Sequence, residues 1–276
     1  MNAPTLERLL ASADVLPTLP QVVRHILQTL NDESASADAL VHELNTDPAI
    51  VARLLAAANS SAFGLAGQVA STRQAILVLG LSTVRRITLA TALLDRLGQV
   101  GGDGRQFWRH SLGVATCARA IAECLGQPPE VAFSAGLLHD VGQLLMAAVA
   151  PEATVLAGER AAAGESIVAA ERAVFGYDHA VVGAELACRW RLPGDIVGGI
   201  RAHHQPDSGE DGEIGDLIHV AEVLSHALDL GQVPHNRVPA VSEIALLRLG
   251  VDWPDLSGQF AGIEARYEGS RLALGL

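Results

Sequence analysis

The chain has 276 residues, 49% of them hydrophobic and only 4% aromatic, and its formal net charge is −12 with the histidines neutral. This length and apolar content can build a substantial core, which excludes a disordered chain. The acidic balance argues against a protein that binds nucleic acid nonspecifically, because phosphate contacts need clustered basic residues. The nearest approach to a basic cluster, Arg85-Arg86, lies on a predicted helix, and we interpret it as a solvated face.

The cysteines and the apolar runs bear on the cellular location. Cys117, Cys124 and Cys188 stand without CxxC spacing, which argues against a disulfide framework or a zinc ribbon. The first residues lack the basic-then-apolar pattern of a signal peptide, and no uncharged apolar run reaches the roughly 18 residues of a membrane span. We therefore expect a cytoplasmic protein that does not contact a membrane.

Apolar residues recur with helical spacing through the N-terminal part of the chain, starting with a helix from about Gln21. Further helices are predicted over SASADALVHEL, TDPAIVARLLAAANS, RQAILVLG and STVRRITLATALLDRLG. Asp47 is the expected N-cap of the TDPAIVARLLAAANS helix, with Pro48 at its first position, and Gly80 is expected to end the RQAILVLG helix. The intervening NSSAFGLAGQVAST is predicted to be a loop.

The clearest break in the chain is GQVGGDG, Gly98 to Gly104. It predicts a boundary between an N-terminal lobe, residues 1–100, and a C-terminal lobe, residues 101–276. Helical patterns follow without any alternating strand pair, and they cover RQFWRHSLGVATCARAIAECLG, PEVAFSAGLLHDVGQLLMAAV, PEATVLAGERAAA, GESIVAAERAVFG, DHAVVGAELACRWR, PGDIVGGIRAHH, GEIGDLIHVAEVLSHALDLG, SEIALLRLG and a last helix near LSGQFAGIEARYEG. The predicted fold class is all-α.

Polar residues interrupt the apolar helices of the C-terminal lobe at several places. Taken singly, His110 is explained as a capping residue, His179 as a residue of a first helical turn, and His203-His204 as a solvated helix end. Taken together, these residues place imidazoles and acids on several helices that could converge: His110, His139, Asp140, His179, His203, His204 and Glu222. Mixed imidazole and carboxylate ligands without a thiolate suit Fe, Mn, Ni, Zn or Mg in a site with open positions.

The order of these residues resembles the HD superfamily of all-helical, metal-dependent phosphohydrolases. The upstream stretches LPTLPQVV, DPAIVARLLAAANSSAFG and STRQAILVLGLSTVRRITLATAL are similar to the N-terminal half of the HDOD domain, a relative found in bacterial signalling proteins. The resemblance covers roughly residues 16–230. It implies two packed helical lobes and a regulatory or scaffolding module without established catalysis. The metal-ligand candidates that it implies are His110, His139, Asp140, His179, His203 or His204, and Glu222.

Three departures from the HD pattern bear on catalysis. Gln143 stands where many catalytic relatives have a lysine, and a neutral amide cannot supply charge to a phosphate. No GYP signature follows His203-His204, and Glu222 replaces the usual aspartate. We therefore predict a signalling module that binds a protein partner, or a small ligand such as a nucleotide, without turnover. Binding of a divalent metal at its HD-like site is compatible with this role.

Two alternatives stay open at the level of sequence. One is a metal-dependent phosphodiesterase or phosphatase, in which Asp140 bridges two ions or orients the attacking water. The other is an ion that stabilises the lobe without any reaction.

Overall fold

The computed structural model of the chain describes residues 3–13, 21–28, 37–59, 69–97, 104–206, 212–232 and 236–276. Every regular element within these ranges is a helix, so the prediction of an all-α fold is confirmed. The predicted loop 59–72 and the predicted boundary 98–104 fall mostly outside the described residues. The division into lobes at residue 100 therefore stays a prediction.

The described residues of the N-terminal part form six helices, α1 Leu6–Ala11, α2 Gln21–Gln28, α3 Ala37–Leu44, α4 Pro48–Ala58, α5 Thr72–Leu79 and α6 Leu81–Leu97. The predicted end signals are confirmed. Asp47 Oδ1 accepts a hydrogen bond of 3.4 Å from the backbone N–H of Ile50, as an N-cap does. Gly80 has a φ of 77° and ends α5 by donating its N–H to Ile76 O at 2.8 Å.

Eleven helices follow in the ranges described from residue 104 onward, α7 Gly104–Leu125, α8 Pro129–Leu138, α9 Val141–Val149, α10 Pro151–Ala162, α11 Ile167–Phe175, α12 His179–Arg189, α13 Gly194–Ala202, α14 Gly212–Ala227, α15 Glu243–Leu249, α16 Trp253–Ser257 and α17 Phe260–Leu274. The long helix α7 packs against both α8 and α14. Gly136 allows the close approach of α8, since a Cβ at that position would lie 2.9 Å from Ala115 Cα. Three elements that carry candidate site residues are thereby held side by side.

Helices from the two ends of the chain pack across the predicted boundary. The helix α1, which the sequence did not indicate, contacts α9 and α12, and Tyr177 donates its hydroxyl hydrogen bond to Pro4 O at 2.8 Å. The helix α17 contacts α4, α6 and α7. Both contacts join segments that are far apart in sequence and bury apolar side chains of both.

The chain bends at His139-Asp140, where the sequence predicted a single helix over PEVAFSAGLLHDVGQLLMAAV. The helix α8 ends at Leu138, Asp140 has φ −97° and ψ 7°, and α9 begins at Val141. The stretch Pro129–Val149 is long enough to cross a membrane and contains an 18-residue window of mean hydropathy 1.3, but 83% of that window is buried inside the fold. This burial is the ordinary condition of a core segment and gives little support for a membrane span.

The interpretation of Arg85-Arg86 as a solvated face is wrong. Arg85 is only 8% exposed, and the side chain of Arg86 is 14% exposed. Arg86 Nη1 lies 2.6 Å from Glu130 Oε1 on α8. Arg86 is held inward because a carboxylate from a distant part of the sequence compensates its largely buried guanidinium.

Candidate metal centre

The structure brings all of the sequence-predicted site residues into one region. His110 is contributed by α7, His139 and Asp140 by the bend between α8 and α9, and His179 by the first position of α12. His203 and His204 follow directly on α13, and Glu222 lies within α14. Convergence of these residues, which the sequence only suggested, is therefore observed.

Asp140 is the centre of the cluster, since its carboxylate contacts four imidazoles. Oδ1 lies 3.0 Å from Nε2 of His179 and 3.8 Å from Nε2 of His203. Oδ2 lies 3.3 Å from Nε2 of His139 and 3.6 Å from Nε2 of His110. The two carboxylate oxygens thus face different pairs of imidazoles, as in a carboxylate that is shared between two adjacent binding positions.

Two ligand groups follow from these contacts, and they share Asp140. The first consists of Asp140, His179, His203 and His204, and the second of His110, His139 and Asp140, with the possible ligand atoms of each group within 4.8 Å of one another. In the first group, His179 Nε2 lies 3.0 Å from Nε2 of His204 and 3.3 Å from Nε2 of His203. Three imidazole nitrogens that face one another next to a carboxylate form a donor set for a divalent ion.

The orientations of three histidine rings are fixed by contacts at Nδ1, on the side of the ring away from Asp140. Nδ1 of His139 lies 2.8 Å from Gly136 O, and Nδ1 of His203 lies 2.7 Å from Ile200 O. Nδ1 of His179 lies 2.6 Å from Oε2 of Glu171. Such a contact holds the proton on Nδ1 and directs Nε2 toward the centre, which is the usual arrangement of a metal-binding histidine.

Unsatisfied polar atoms indicate that the cluster fits a cation. Nε2 of His139 and Oδ1 of Asp140 are buried and make no hydrogen bond, so the contact of 3.0 Å between Oδ1 and His179 is close in distance but lacks hydrogen-bond geometry. Buried polar atoms without a partner cost free energy, and a native fold normally satisfies them. Coordination of these atoms to metal ions would remove that cost.

The electrostatics of the cluster divide the histidines into two kinds. Burial and the neighbouring His139 lower the pKa of His110 to about 4. Burial and His204 hold the pKa of His203 well below its usual range. For His179, burial opposes protonation, but Asp140 and Glu171 outweigh it and raise its pKa well above the usual value. His110 and His203 are therefore neutral near pH 7, the state that binds a metal.

The carboxylate of Asp140 is ionised in spite of its burial. Desolvation favours the neutral acid, but His139 and His179 hold the pKa of Asp140 well below its usual range. Asp140 is 6% exposed, and His139, His179 and His203 are fully buried. His110 and His204 retain 13% and 18% of their side-chain exposure. The interpretation of His203 as part of a solvated helix end is therefore wrong.

A third group of potential ligands consists of His110, Glu222 and His226. The rings of His110 and His226 have centroids 5.0 Å apart, and Nδ1 of His226 lies 2.6 Å from Asn236 Oδ1. Glu222 is 7% exposed, and its Oε2 lies 3.7 Å from Nδ1 of His204. The longer side chain of glutamate thus reaches the rim of the cluster from α14.

Two residues of the centre were not predicted from the sequence. His226 stands four positions after Glu222 on α14, and this helical spacing would have been a usable signal. Glu171 accepts hydrogen bonds from both the backbone N–H and the ring of His179. No sequence pattern indicates Glu171, because it comes from α11 and reaches His179 only through the turn that connects α11 to α12.

Comparisons with known proteins show similarity in sequence and in fold. The sequence model of the HDOD domain family matches residues 16–206. A solved HDOD domain protein of unknown function from Geobacter sulfurreducens is 28% identical, with a TM-score of 0.78 over 95% of this chain and 96% of that one. A provisionally named phosphohydrolase from Shewanella amazonensis SB2B is 29% identical, with a TM-score of 0.75 over 97% and 96% of the two chains.

Curated relatives are longer than this chain. Ribonuclease Y of Clostridium tetani is 31% identical over 135 residues, which are 49% of this chain and 21% of that protein. The chain spans less than half the length of the first curated relatives that it matches.

Proposed function

Since the chain belongs to the HDOD domain family, we propose that it is a signalling module that holds divalent metal in its C-terminal part and acts through a protein partner, without turning over a substrate. The main observation in support of metal binding is the contact of one buried carboxylate, Asp140, with four imidazoles at 3.0 to 3.8 Å. Buried polar atoms without hydrogen bonds at the same place support it further.

In this proposal the ligand residues form two metal-binding positions. Asp140 with His179, His203 and His204 would hold one ion, and Asp140 with His110 and His139 a second. The chemistry of the ligands suits Fe, Mn, Ni, Zn or Mg. When bound in such a site, an ion polarises a phosphoryl oxygen or lowers the pKa of a water molecule.

The absence of turnover is proposed because the protein supplies little positive charge of its own at the centre. The 19 basic residues of the chain are all arginine, so no lysine is present anywhere to neutralise a phosphate, and Gln143 stands three positions after Asp140. The hydrogen bonds and ion pairs of the cluster run to other imidazoles, to carboxylates and to backbone carbonyls. A phosphorylated substrate would therefore depend on the metal alone for its charge.

Elemental analysis tests the proposal. Protein purified without chelator is expected to carry at least one equivalent of a transition metal or Mg. The Asp140→Ala variant is expected to lose the metal, and the His139→Ala variant to carry about one equivalent less than the native protein, while both remain helical by circular dichroism. The metal-loaded protein is expected not to hydrolyse bis-p-nitrophenyl phosphate or p-nitrophenyl phosphate. Metal-free protein that also fails to bind Mn²⁺ on titration would contradict the proposal.

The protein partner is tested separately, by affinity capture from a lysate followed by mass spectrometry. Partners recovered with the native protein and lost with the Asp140→Ala variant would tie the centre to signalling. Failure to recover any partner, together with measurable turnover, would contradict the regulatory role.

A second candidate function is a metal-dependent phosphohydrolase. The observation that favours it is that two ligand groups share Asp140, because paired ions that share a carboxylate are characteristic of two-metal phosphoryl chemistry. The ribonuclease Y relatives make a short RNA a suitable test substrate beside the nitrophenyl esters. Hydrolysis that requires Mn²⁺ and disappears in the Asp140→Asn variant would establish this function in place of the first.

A further inference from the structure

A cavity of about 600 Å³, lined by none of the candidate metal ligands, lies between the helices of the two parts of the chain. Its wall is formed by α4, α5 and α6 on one side, α7 and α8 on another, and α17 as a third. Most of the wall is apolar, with Leu79, Ile87, Leu112 and Phe133 among its residues. Its volume is that of a pocket for a small organic ligand.

Three arginines give this apolar cavity a cationic edge. Arg86, Arg119 and Arg266 line it, whereas Glu123 and Glu130, which hold them in place, do not. Glu130 Oε1 lies 2.6 Å from Arg86 and 3.6 Å from Arg119, and Glu123 lies 2.7 Å from Arg119 and 2.6 Å from Arg266. The five side chains form one continuous row with alternating charge, and it carries one positive charge in excess.

The row leaves donor capacity unused next to the cavity. Nε of Arg119 is buried and makes no hydrogen bond, since the carboxylate oxygen of Glu130 stands 3.6 Å away, beyond hydrogen-bond length. Arg86 is held over the ring of Phe133 at 5.9 Å, and burial lowers its pKa. A guanidinium beside an apolar wall is stabilised by an additional anion.

We propose that this cavity binds an amphiphile with one negative charge, a long-chain carboxylate, whose tail lies along the apolar wall and whose head contacts Arg119 and Arg86. The single excess charge of the row matches a single carboxylate. A nucleotide suits the cavity less well, because its base and sugar need polar partners. Two of the hydroxyls available are already engaged, Thr83 Oγ1 accepting from Arg86 at 2.9 Å and Thr116 Oγ1 donating to Leu112 O at 2.7 Å.

The position of the cavity gives the ligand a structural consequence. Its walls come from helices that are distant in sequence, and α17 contacts α4, α6 and α7 around it. A ligand that fills the cavity binds the folded arrangement of these helices and stabilises it. The inference stands on this cavity alone and does not depend on metal at Asp140.

Isothermal titration calorimetry of the full chain with sodium dodecanoate tests the proposal. The dodecanoate is kept below its critical micelle concentration. We expect one molecule bound per chain, with at least tenfold weaker binding of dodecyltrimethylammonium, which has the same tail and the opposite charge. Equal affinity for both amphiphiles would overturn the proposal. Binding of several molecules with loss of helicity by circular dichroism would also overturn it, because that is detergent action.

Variants of the protein test the contact with the carboxylate head and the space for the apolar tail separately. Arg119→Gln is expected to weaken dodecanoate binding tenfold or more, while Arg160→Gln, at an exposed arginine of α10, leaves it unchanged. Should Arg119→Gln fail to fold, Ala273→Phe provides an independent test, because it fills the cavity from α17. Undiminished binding in a folded variant of either kind would refute the site. Asp140→Asn is expected to bind dodecanoate as the native protein does, which distinguishes this site from the metal centre.

Discussion

Glu171 Oε2 lies 2.6 Å from Nδ1 of His179 and also accepts the backbone N–H of that residue at 2.9 Å. One carboxylate thus fixes both the start of α12 and the ring that faces Asp140. A carboxylate behind a ligating histidine fixes its tautomer and increases its basicity. In the proposed metal site Glu171 would act as a positioning residue, since its contacts reach the cluster through His179.

Replacement of Glu171 should weaken the metal centre without removing any ligand. For Glu171→Gln, we expect the affinity for Mn²⁺ to fall by about 10- to 100-fold, because a neutral amide supports the imidazole less well. Competition with a fluorescent chelator measures the affinity. The matched control is Glu165→Gln, at an exposed carboxylate that pairs with Arg160. An unchanged affinity in Glu171→Gln would show that the contact is only structural.

The number of bound ions should report the sharing of Asp140. We expect two equivalents of metal in the native protein, about one in His204→Gln or His110→Gln, and none in Asp140→Asn, because only Asp140 belongs to both ligand groups. Elemental analysis after equilibrium with Mn²⁺ and gel filtration gives the count. Complete loss of metal in both single-histidine variants would instead indicate one ion held by the whole cluster.

Metal affinity should increase with pH. Asp140 and Glu171 raise the pKa of His179 against the effect of burial, so without metal its imidazole is protonated at neutral pH. Binding must expel this proton, and affinity is expected to rise about tenfold per pH unit while one proton is released. Titration calorimetry in buffers of different ionisation enthalpy counts the protons. Affinity that does not change between about pH 6 and pH 8 would contradict the assignment.

The same proton has the opposite effect on the metal-free fold. A raised pKa in the folded state stabilises the protein below the ordinary pKa of histidine, about 6.5, and this stabilisation is lost as pH rises through the raised value. Thermal unfolding with and without Mn²⁺ should therefore show a metal-induced increase in Tm that grows with pH. In Glu171→Gln this growth is expected to be smaller, since one of the two acids that raise the pKa is gone.

Close packing of α9 on α12 should make Gly142 sensitive to a single methyl group. A Cβ at Gly142 would clash with the backbone carbonyl of His179 and lie 2.7 Å from Gly183 N. Gly142→Ala is expected to destabilise the protein by about 1–3 kcal/mol and to weaken metal binding, because α12 carries His179. The control is Gly158→Ala on α10, where nothing lies within 4 Å. It is expected to stabilise the protein by about 0.5–1 kcal/mol. Chemical denaturation measures both, and equal effects would refute the packing argument.

Helix positions, end signals and most ligand candidates could be predicted from the sequence, because these are local properties of the chain. Asp47 caps the start of α4 and Gly80 ends α5, as expected, since capping depends on a few neighbouring residues. The HD pair and the order of the histidines indicated the HD superfamily, and the upstream stretches DPAIVARLLAAANSSAFG and STRQAILVLGLSTVRRITLATAL indicated the HDOD family. The identity of the potential ligands was thus available before any coordinate.

Only the tertiary structure decided how those residues meet. It bent the apolar run at His139-Asp140, so that one carboxylate reaches imidazoles from α7, α12 and the end of α13. It placed Glu171 behind His179 and drew Arg86 inward to Glu130. These relationships depend on contacts between segments far apart in sequence, whose free energy comes from burial and charge compensation in the folded state. Local patterns of hydrophobicity and capping therefore do not predict these long-range contacts.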